Sequence, residues 1–353
     1  MQKIYSISIV NTQMQLINCM EAVQSYSCNS NWLINGNLSQ NRNEQIDLFY
    51  KNHNLSNYFD HYINLRMLKS HWLFCTWINM LLAKIILASV LMIRKMDFVF
   101  IGHYLNPIHR YLIRQSNKKN SRCKNILVDD GTGTMLFANE RYKEEQSQVD
   151  CCFYDRSMRL LFSPGSKEMI APKKLEYYTI YPIQNILSKD SIKSNNYDVI
   201  RSWDNSFDLE IKPNTMIVVG QTLVEENIVS IQKYRDLLSE AFHRAEKIYG
   251  IEMFIYCPHP GESNIEDKLS IFENIIVHKN KDPFELFALT FPKSCIIIGF
   301  FSSSLWNLTY LGIDASIKYI RIDKNDIICG EPMLSHIINI YQTYNNSNVI
   351  KQI

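Results

Sequence analysis

The sequence predicts an α/β protein with two consecutive domains, each built on a parallel sheet that helices cover on both faces. Three observations predict this fold class. The chain has 353 residues, which exceeds one ordinary domain and suits two domains of roughly 150–200 residues. Apolar residues alternate along the chain between the spacing of a strand and the spacing of a helix. This series starts twice, at the beginning of the chain and again at Thr215.

The first half of the chain contains a regular series of predicted elements. Lys3–Val10 has the apolar residues of a strand, and Met14–Tyr26 follows as a helix because Leu16, Cys19 and Val23 fall on one face. The other predicted elements of this half are strands at Trp32–Gly36, Asp97–Ile101 and Asn125–Val128, and helices at Leu38–His53, Trp72–Ile93 and Pro107–Gln115, the last with proline in its first turn.

The second half repeats this order after a middle region, about residues 143–208, whose weak pattern predicts loops, short strands and a linker. We therefore expect an N-terminal domain of residues 1–210 and a C-terminal domain of residues 211–353, with the last helix packed on either domain. The predicted strands are Thr215–Val219, Met253–Tyr256, Asn274–His278, Ser294–Gly299 and Ile317–Ile322, and the predicted helices are Glu225–Tyr249, Pro283–Leu289, Leu305–Leu311 and Met333–Tyr344.

Composition and charge exclude several classes of protein. Hydrophobic residues make up 46% of the chain and charged residues 20%, which is typical of a globular protein. The formal net charge of +2 argues against a dedicated nucleic-acid binder. The nine cysteines are odd in number and show no CxxC spacing, so a zinc ribbon and a disulfide framework lack support. Reduced thiols and a first strand in place of a signal peptide predict a cytoplasmic protein.

One segment, Trp72–Ile93, is long and apolar enough to span a bilayer. Lys84 would then lie near the centre of the bilayer, where a charge is costly. We therefore expect a buried or interfacial helix. A true span and a contact with the membrane surface are the two alternatives.

Two carboxylates and a glycine, Asp129-Asp130-Gly131, follow a predicted strand directly. Ligands of parallel α/β sheets bind at the carboxyl ends of the strands, so one carboxylate could face a ligand while the other caps the turn. Repulsion between the two could also raise one pKa to a value useful for a base. The alternatives are an ordinary Asp-rich turn and a dinucleotide-binding loop, although Leu136 stands where the third glycine of that loop would be.

Three further groups of polar residues follow strands of the second half. His259 lies between two prolines, which predicts a rigid loop that presents a donor to a phosphate, or a packed surface loop. Ser302-Ser303-Ser304 precedes a predicted helix and could bind an anion, or simply cap the helix. Gly220-Gln221 could form a similar turn. Glu285 could accept two ribose hydroxyls, or stabilise the first turn of its helix.

The order strand–DDG, strand–HP, strand–SSS resembles the bacterial sialyltransferases that carry D/E-D/E-G, HP and Ser-Ser/Thr motifs, namely the lipooligosaccharide sialyltransferases and capsular polysialyltransferases. The opening residues 10–18 are also similar to the first loop of that family, except that Gln13 stands where the pattern has proline. The resemblance implies a GT-B fold, in which two Rossmann-like domains face each other across a cleft and the C-terminal domain holds the CMP of the donor.

The resemblance also implies an inverting transfer of sialic acid, or of a related nonulosonic acid, from a CMP-activated donor, with no cofactor and no metal. By motif position, Asp129 would be the general base and His259 would stabilise the leaving phosphate. Asp130 and Gly131 would be structural. The implied donor-binding residues are Gly220, Gln221, Pro260, Glu285, Ser302, Ser303 and Ser304, with Thr12 and Gln13 approaching the sialic acid from the other domain.

The expected partners are a CMP-sugar donor and an oligosaccharide or glycolipid acceptor of a bacterial surface glycan, either lipooligosaccharide or capsule. No nucleic acid is expected, and a peripheral contact with the inner membrane is open. The alternatives are a Kdo transferase, which also uses a CMP-activated sugar, and a non-catalytic protein that binds nucleotide in glycan assembly. The sequence leaves open the sugar, the linkage, single or processive transfer, and the oligomeric state.

Overall fold

The computed structural model describes residues 3–66, 73–143, 161–162, 172–183, 186–203, 211–279, 281–331 and 333–353. The chain divides into two compact units, Met1–Ile200 and Arg201–Ile353. The boundary predicted between residues 210 and 211 comes at the end of residues 204–210, which lie outside the described residues.

The N-terminal unit is built on a seven-stranded sheet with the order β3-β2-β1-β4-β5-β6-β7, and every strand pair is parallel. Its strands are β1 (Tyr5–Val10), β2 (Ser30–Asn35), β3 (His61–Asn64), β4 (Phe98–Ile101), β5 (Lys124–Val128), β6 (Glu176–Thr179) and β7 (Ser191–Ser194). Its helices are α1 (Gln13–Ser25), α2 (Gln40–Asn52), α3 (Leu73–Ile93), α4 (Pro107–Lys119) and α5 (Gly133–Lys143), and α6 (Asp198–Arg201) lies at the division.

The C-terminal unit is built on a six-stranded sheet with the order β10-β9-β8-β11-β12-β13, again with every pair parallel. Its strands are β8 (Thr215–Val219), β9 (Met253–Cys257), β10 (Ile275–Val277), β11 (Ile296–Gly299), β12 (Ser316–Tyr319) and β13 (Lys351–Gln352). Its helices are α7 (Ile231–Tyr249), α8 (Ile265–Leu269), α9 (Phe284–Ala288), α10 (Ser303–Leu311) and α11 (Met333–Asn345). The prediction of two Rossmann-like α/β domains is therefore confirmed.

Local sequence explains where the helices begin and end. The Oγ of Ser230 accepts a hydrogen bond from the backbone N–H of Lys233, which fixes the start of α7. Gly250 ends the same helix in the left-handed conformation, with φ of 63°. Asn106 caps α4, and Pro107 occupies its first position. In each unit the central strands are buried, apart from Lys124 at the start of β5, because helices cover them on both faces.

The structure differs from the predicted elements at several places. The strands β3 and β7 lie at the two edges of the first sheet, and neither has an apolar run. In β7 the half-buried Ser191 and Lys193 alternate with the exposed Ile192 and Ser194. Helix α5 was not predicted, because its apolar residues are consecutive and do not repeat at the spacing of a helix face. Helix α7 starts at Ile231 rather than Glu225, because residues 223–227 form turns and Ser230 supplies the cap. Finally, Ser316–Tyr319 is not the last strand, since Lys351–Gln352 pairs beside it.

Helix α3 has one buried face and one exposed apolar face. Met80, Ala83 and Leu87 are buried, whereas Leu81 and Ile85 are 50% and 53% exposed. Among the described residues, none of the helices has the length and apolarity that a membrane crossing requires.

Candidate active site

Most predicted site residues follow strands at or next to the point where the strand order of each sheet reverses, whereas Glu285 lies in helix α9. In the N-terminal unit the order reverses between β1 and β4, and in the C-terminal unit between β8 and β11. Such reversals leave a crevice at the carboxyl ends of the strands, where α/β proteins bind their ligands. The first-loop residues, the two aspartates, Gly220-Gln221, the His259 loop and the serines all follow strands at these carboxyl ends.

Asp129 is the first residue after β5, and its carboxylate is enclosed. The residue is 1% exposed. One carboxylate oxygen accepts a hydrogen bond from the Thr179 hydroxyl, and the other accepts one from the backbone N–H of Ile180 at 2.9 Å. Its backbone carbonyl accepts a hydrogen bond from the Asn18 side chain at 3.1 Å. Asp129 therefore joins α1, β5 and the end of β6.

Burial changes the acidity of this carboxyl. Burial raises the pKa of Asp129 to about 7, although the hydrogen bonds from Thr179 and Ile180 oppose the shift. A carboxyl with a pKa near neutrality is a sign of a functional site. Its enclosure, however, leaves almost no surface that a substrate hydroxyl could contact.

Asp130 is the partly exposed member of the pair. Its Oδ1 accepts a hydrogen bond from Gln15 Nε2 at 2.6 Å, and its backbone N–H donates to the Thr134 hydroxyl at 2.9 Å. Burial raises the pKa of Asp130, and the charges of His103 and Arg42 oppose that shift. Gly131, the next residue, has φ of 61° and turns the chain into α5, a conformation that suits glycine.

Gln15 connects the first loop to Asp130. Its Oε1 accepts a hydrogen bond from the backbone N–H of Asn11 at 2.7 Å, while its Nε2 donates to Asp130. Its side chain also packs against Gly102, where an added Cβ would lie 2.2 Å from Gln15 Cδ. The predicted sialic-acid contacts lie beside it. Thr12 caps α1, and Gln13 donates to the Gln45 carbonyl at 3.2 Å.

His103 follows β4 and belongs to the same cluster. Its ring packs against Phe137, with 4.7 Å between the ring centroids. Burial lowers the pKa of His103, and the charge of Asp130 opposes that shift. Its Nδ1 is buried and has no hydrogen-bond partner within the described part of the chain. Burial therefore favours the neutral imidazole, and its Nδ1 is enclosed within the cluster around Asp130.

In the C-terminal unit, Gln221 ties together the two loops at the reversal. Its Oε1 accepts hydrogen bonds from the backbone N–H groups of Phe300 and Phe301, at 3.1 and 3.0 Å. Gly220 before it must be a glycine for a different reason. An added Cβ would lie 2.2 Å from Glu262 Oε2 and 2.9 Å from Pro258 Cα. The absence of a side chain thus allows the His259 loop to approach β8.

The loop of His259 fixes the direction of its imidazole. The backbone N–H of Gly261 donates to His259 Nδ1 at 3.0 Å, so the proton of the neutral ring is on Nε2. The backbone N–H of His259 donates to Glu262 Oε2 at 2.7 Å, and its carbonyl accepts from the Glu262 N–H at 2.9 Å. His259 is exposed, as is Pro260. The loop therefore presents an Nε2–H donor on a rigid backbone.

A buried ion pair supports this loop. Lys268 Nζ lies 2.8 Å from Glu262 Oε1, and the two side chains are 1% and 0% exposed. The Tyr256 hydroxyl also donates to Glu262, at 2.6 Å, and Lys268 contacts Glu225 at 2.9 Å. Burial raises the pKa of Glu262, and Lys268 and Tyr256 oppose the shift. The carboxylate of Glu262 is thus fully engaged in holding the His259 loop.

We expect Lys268→Met to destabilise the protein by about 3–5 kcal/mol, because it leaves the Glu262 carboxylate buried without its partner. The matched control is Lys233→Met, which removes a partly exposed pair with Asp326 and should cost about 0–1 kcal/mol. Urea unfolding of both variants measures the difference. Equal losses of stability would show that Glu262 does not depend on Lys268.

The serines and Glu285 meet through α10. Ser302 caps this helix, with its Oγ accepting the backbone N–H of Ser304 at 3.3 Å, and its carbonyl accepts the Tyr344 hydroxyl at 2.6 Å. Ser303 and Ser304 are partly exposed in the first turn. Glu285 is 3% exposed, and its Oε1 accepts a hydrogen bond from Asn307 on α10 at 2.8 Å. Its buried carboxylate thus braces the serine helix.

No group of three or more His, Cys, Asp or Glu side chains that could hold a metal ion occurs in the described residues. The expected independence from metal stays a prediction.

Several site residues carry no signal that the sequence alone would reveal. Thr179 and Tyr256 lie in strands, and Lys268 lies in a short helix that follows the His259 loop but belongs to no motif. His103 could have been suspected from its place after a glycine that ends a strand. Gln15 lies inside the first-loop motif, but only the structure distinguishes it from Gln13.

Comparison with known proteins gives a family match over most of the chain. A family model described as alpha-2,8-polysialyltransferase matches residues 6–320. No curated protein sequence matches the chain. Among solved structures, the GT-B domain of a sialyltransferase from Photobacterium damselae has 13% identity and a TM-score of 0.49, and covers 99% of each chain. A UDP-glucosyltransferase from Polygonum tinctorium has 9% identity and a TM-score of 0.48, covering 99% of this chain and 96% of its own.

Proposed function

The chain belongs to the alpha-2,8-polysialyltransferase family, and we propose that it transfers sialic acid from a CMP-activated donor to a hydroxyl of a sialylated surface glycan, with inversion at the anomeric carbon. The observation that carries the proposal is the set of donors at the reversal of the second sheet. Gln221 holds the two loops together, His259 presents Nε2–H, and Ser303 and Ser304 lie in the first turn of α10. The name of the family makes a sialic acid chain the first acceptor to test.

The donor side of the reaction needs groups that stabilise negative charge on the leaving phosphate. As the bond between the anomeric carbon and the phosphate oxygen breaks, CMP gains charge. Fixed donors stabilise that charge without reorganising, which is the most effective form of electrostatic catalysis. Two features support this role here. The His259 backbone is fixed by its hydrogen bonds with Glu262, and the N-terminal turn of α10 attracts anions.

The acceptor side needs a base, and we propose Asp130 for it in place of Asp129. A base must come within hydrogen-bond reach of the hydroxyl before its pKa matters. Asp129 is 1% exposed and uses both oxygens inside the protein, whereas Asp130 is partly exposed and uses Oδ1 for Gln15. This exchanges the two roles expected from motif position. Asp130 would take the hydroxyl proton, and Asp129 would hold the turn.

The chemistry then balances in one displacement. The acceptor oxygen attacks the anomeric carbon from the side opposite the phosphate, its proton passes to the Asp130 carboxylate, and CMP leaves with both electrons of the broken bond. The attack inverts the configuration of the anomeric carbon. His259 Nε2–H and the serine hydroxyls would donate to the departing phosphate.

A donor comparison tests the proposal against its two alternatives. The purified chain is incubated with CMP-Neu5Ac or CMP-Kdo and a panel of sialylated and unsialylated galactosides. We expect product only with CMP-Neu5Ac. Product from CMP-Kdo alone would favour a Kdo transferase. Nucleotide binding without turnover of any donor would favour a non-catalytic protein.

We expect transfer to continue in excess EDTA. The reason is that His259 and the serines would neutralise the leaving phosphate without an ion. The measurement compares initial rates with and without the chelator. Loss of activity in EDTA, restored by Mg²⁺ or Mn²⁺, would contradict the proposed donor site.

A further inference from the structure

Helix α3 carries a continuous exposed apolar stripe. Trp77, Leu81, Ile85 and Met92 are 38%, 50%, 53% and 70% exposed. Their spacings of four, four and seven residues place them on one side of the helix. The opposite side is buried in the core of the N-terminal unit through Met80, Ala83, Leu87, Val90 and Leu91. The stripe is therefore a surface feature of a well-packed helix.

The charges around the stripe have a single sign. Lys84 is the one charged residue within α3, and Arg94 and Lys95 follow its last turn. From Leu73 to Met96 the sequence contains no acidic residue. A stripe that combines tryptophan and leucine with flanking cations has the composition of helices that lie in a membrane interface.

A strongly basic cavity lies in the same unit, lined by residues of α4, β5 and the chain before and at the start of β6. Its volume is about 620 Å³, and Glu176 is the one acidic residue in its lining. The basic residues of its lining are Arg110, Arg114, Lys118, Arg122, Lys124, Lys173 and Lys174. Asn120, at the end of α4, donates a hydrogen bond to the carbonyl of Met96 at 2.8 Å, and α4 packs on α3. Helix α4, which lines the cavity, is thus bonded to the chain that leaves α3.

We propose that this docking face, formed by the α3 stripe and the basic cavity, binds the surface of an anionic lipid membrane. The apolar side chains of the stripe would enter the interface, and the cations would contact phosphate groups of the lipids. Anionic leaflets attract clustered lysines and arginines in this way. The inference does not depend on the proposed reaction.

A second copy of the chain fits the same face less well. A two-fold pairing of the stripes would bring the Lys84 side chains of two copies towards each other, and the Arg94-Lys95 pairs would add like charge. Anionic headgroups would instead complement every charge of the stripe.

Vesicle binding tests the docking face. Sedimentation with vesicles of phosphatidylcholine alone, and with equal parts of phosphatidylglycerol, measures affinity for each surface. We expect the anionic vesicles to bind at least about tenfold more tightly than the neutral ones. The double variant Leu81→Asn/Ile85→Asn should lose most of this binding. The matched control is Ile248→Asn, which changes an apolar residue that is 64% exposed on α7, and it should bind normally.

A second pair of substitutions tests the basic cavity. Lys118→Glu/Lys174→Glu should weaken binding to anionic vesicles by about tenfold or more. Inorganic phosphate at matched ionic strength should not compete, because a membrane presents many phosphates at once. Circular dichroism confirms that each variant is folded.

Three outcomes would overturn the proposal. Equal binding to neutral and anionic vesicles would show that the cations do not contribute to membrane binding. If the Leu81→Asn/Ile85→Asn variant bound vesicles as well as Ile248→Asn does, the stripe would not take part in binding. A wild-type dimer in sedimentation velocity that the same double variant converts to monomer, without vesicle binding by wild type, would show that a second copy covers the face.

Discussion

Asp130→Asn is expected to lower kcat by at least about a hundredfold, the usual contribution of a general base. Asparagine keeps an oxygen that can accept the hydrogen bond from Gln15, so the loop should keep its conformation while the proton acceptor is lost. CMP should still bind, because the proposed donor site lies in the C-terminal unit. The measurement is a single-turnover rate together with CMP affinity and melting temperature on one preparation.

Asp129→Asn is the matched control, and it should mainly change stability. Burial raises the pKa of Asp129 to about 7, so between pH 4 and 7 the folded protein holds a proton that the unfolded chain releases. Stability should therefore fall as pH rises through this range and level off above it. The variant should lose this dependence, measured as melting temperature from pH 5 to 8. A hundredfold loss of turnover in a folded Asp129→Asn protein, with Asp130→Asn active, would restore the base to Asp129.

His259→Ala is expected to lower turnover by about a hundredfold or more, which is the usual effect of removing one preorganised donor. The backbone bonds between His259 and Glu262 do not involve the imidazole, so the loop should persist. A donor with a better leaving group needs less stabilisation and should recover part of the rate. The same donor should not rescue Asp130→Asn, whose defect is in the nucleophile.

A purely structural His259 would give a different pattern. The alanine variant would then melt at a lower temperature but turn over nearly normally for each folded molecule. Melting temperature and single-turnover rate on one preparation distinguish the two roles.

Much of the fold follows from local sequence because the buried central strands are apolar and each is followed by a glycine or a polar turn. Thr215–Val219 and Ile296–Gly299 are clear for this reason. The edge strand at Ser191–Ser194 is not, because alternate residues face solvent and leave no apolar run. The short strand Lys351–Gln352 is equally hidden, since its pairing with β12 joins residues more than thirty positions apart.

The motifs predicted which loops carry the candidate site, but not what each side chain does there. Asp129 and Asp130 are adjacent residues of the same type, so the sequence does not distinguish their roles. The hydrogen bonds from Thr179 and Ile180 show that the carboxylate of Asp129 is enclosed. Gln221 is predicted to bind the donor, and in the structure its Oε1 accepts hydrogen bonds from the backbone N–H groups of Phe300 and Phe301. Glu285 likewise braces Asn307. Such roles depend on contacts between distant parts of the chain, which one sequence does not contain.

The most direct test of the account is product analysis with the purified chain, CMP-Neu5Ac and a short α2,8-linked oligosialic acid in excess EDTA. Mass spectrometry counts the sialic acid residues added, and the CMP released is measured in the same sample. We predict chains longer by whole sialic acid residues, one CMP released for each residue added, and no elongation by Asp130→Asn. Consumption of CMP-Kdo or a UDP-sugar, with CMP-Neu5Ac left intact on every acceptor, would contradict it.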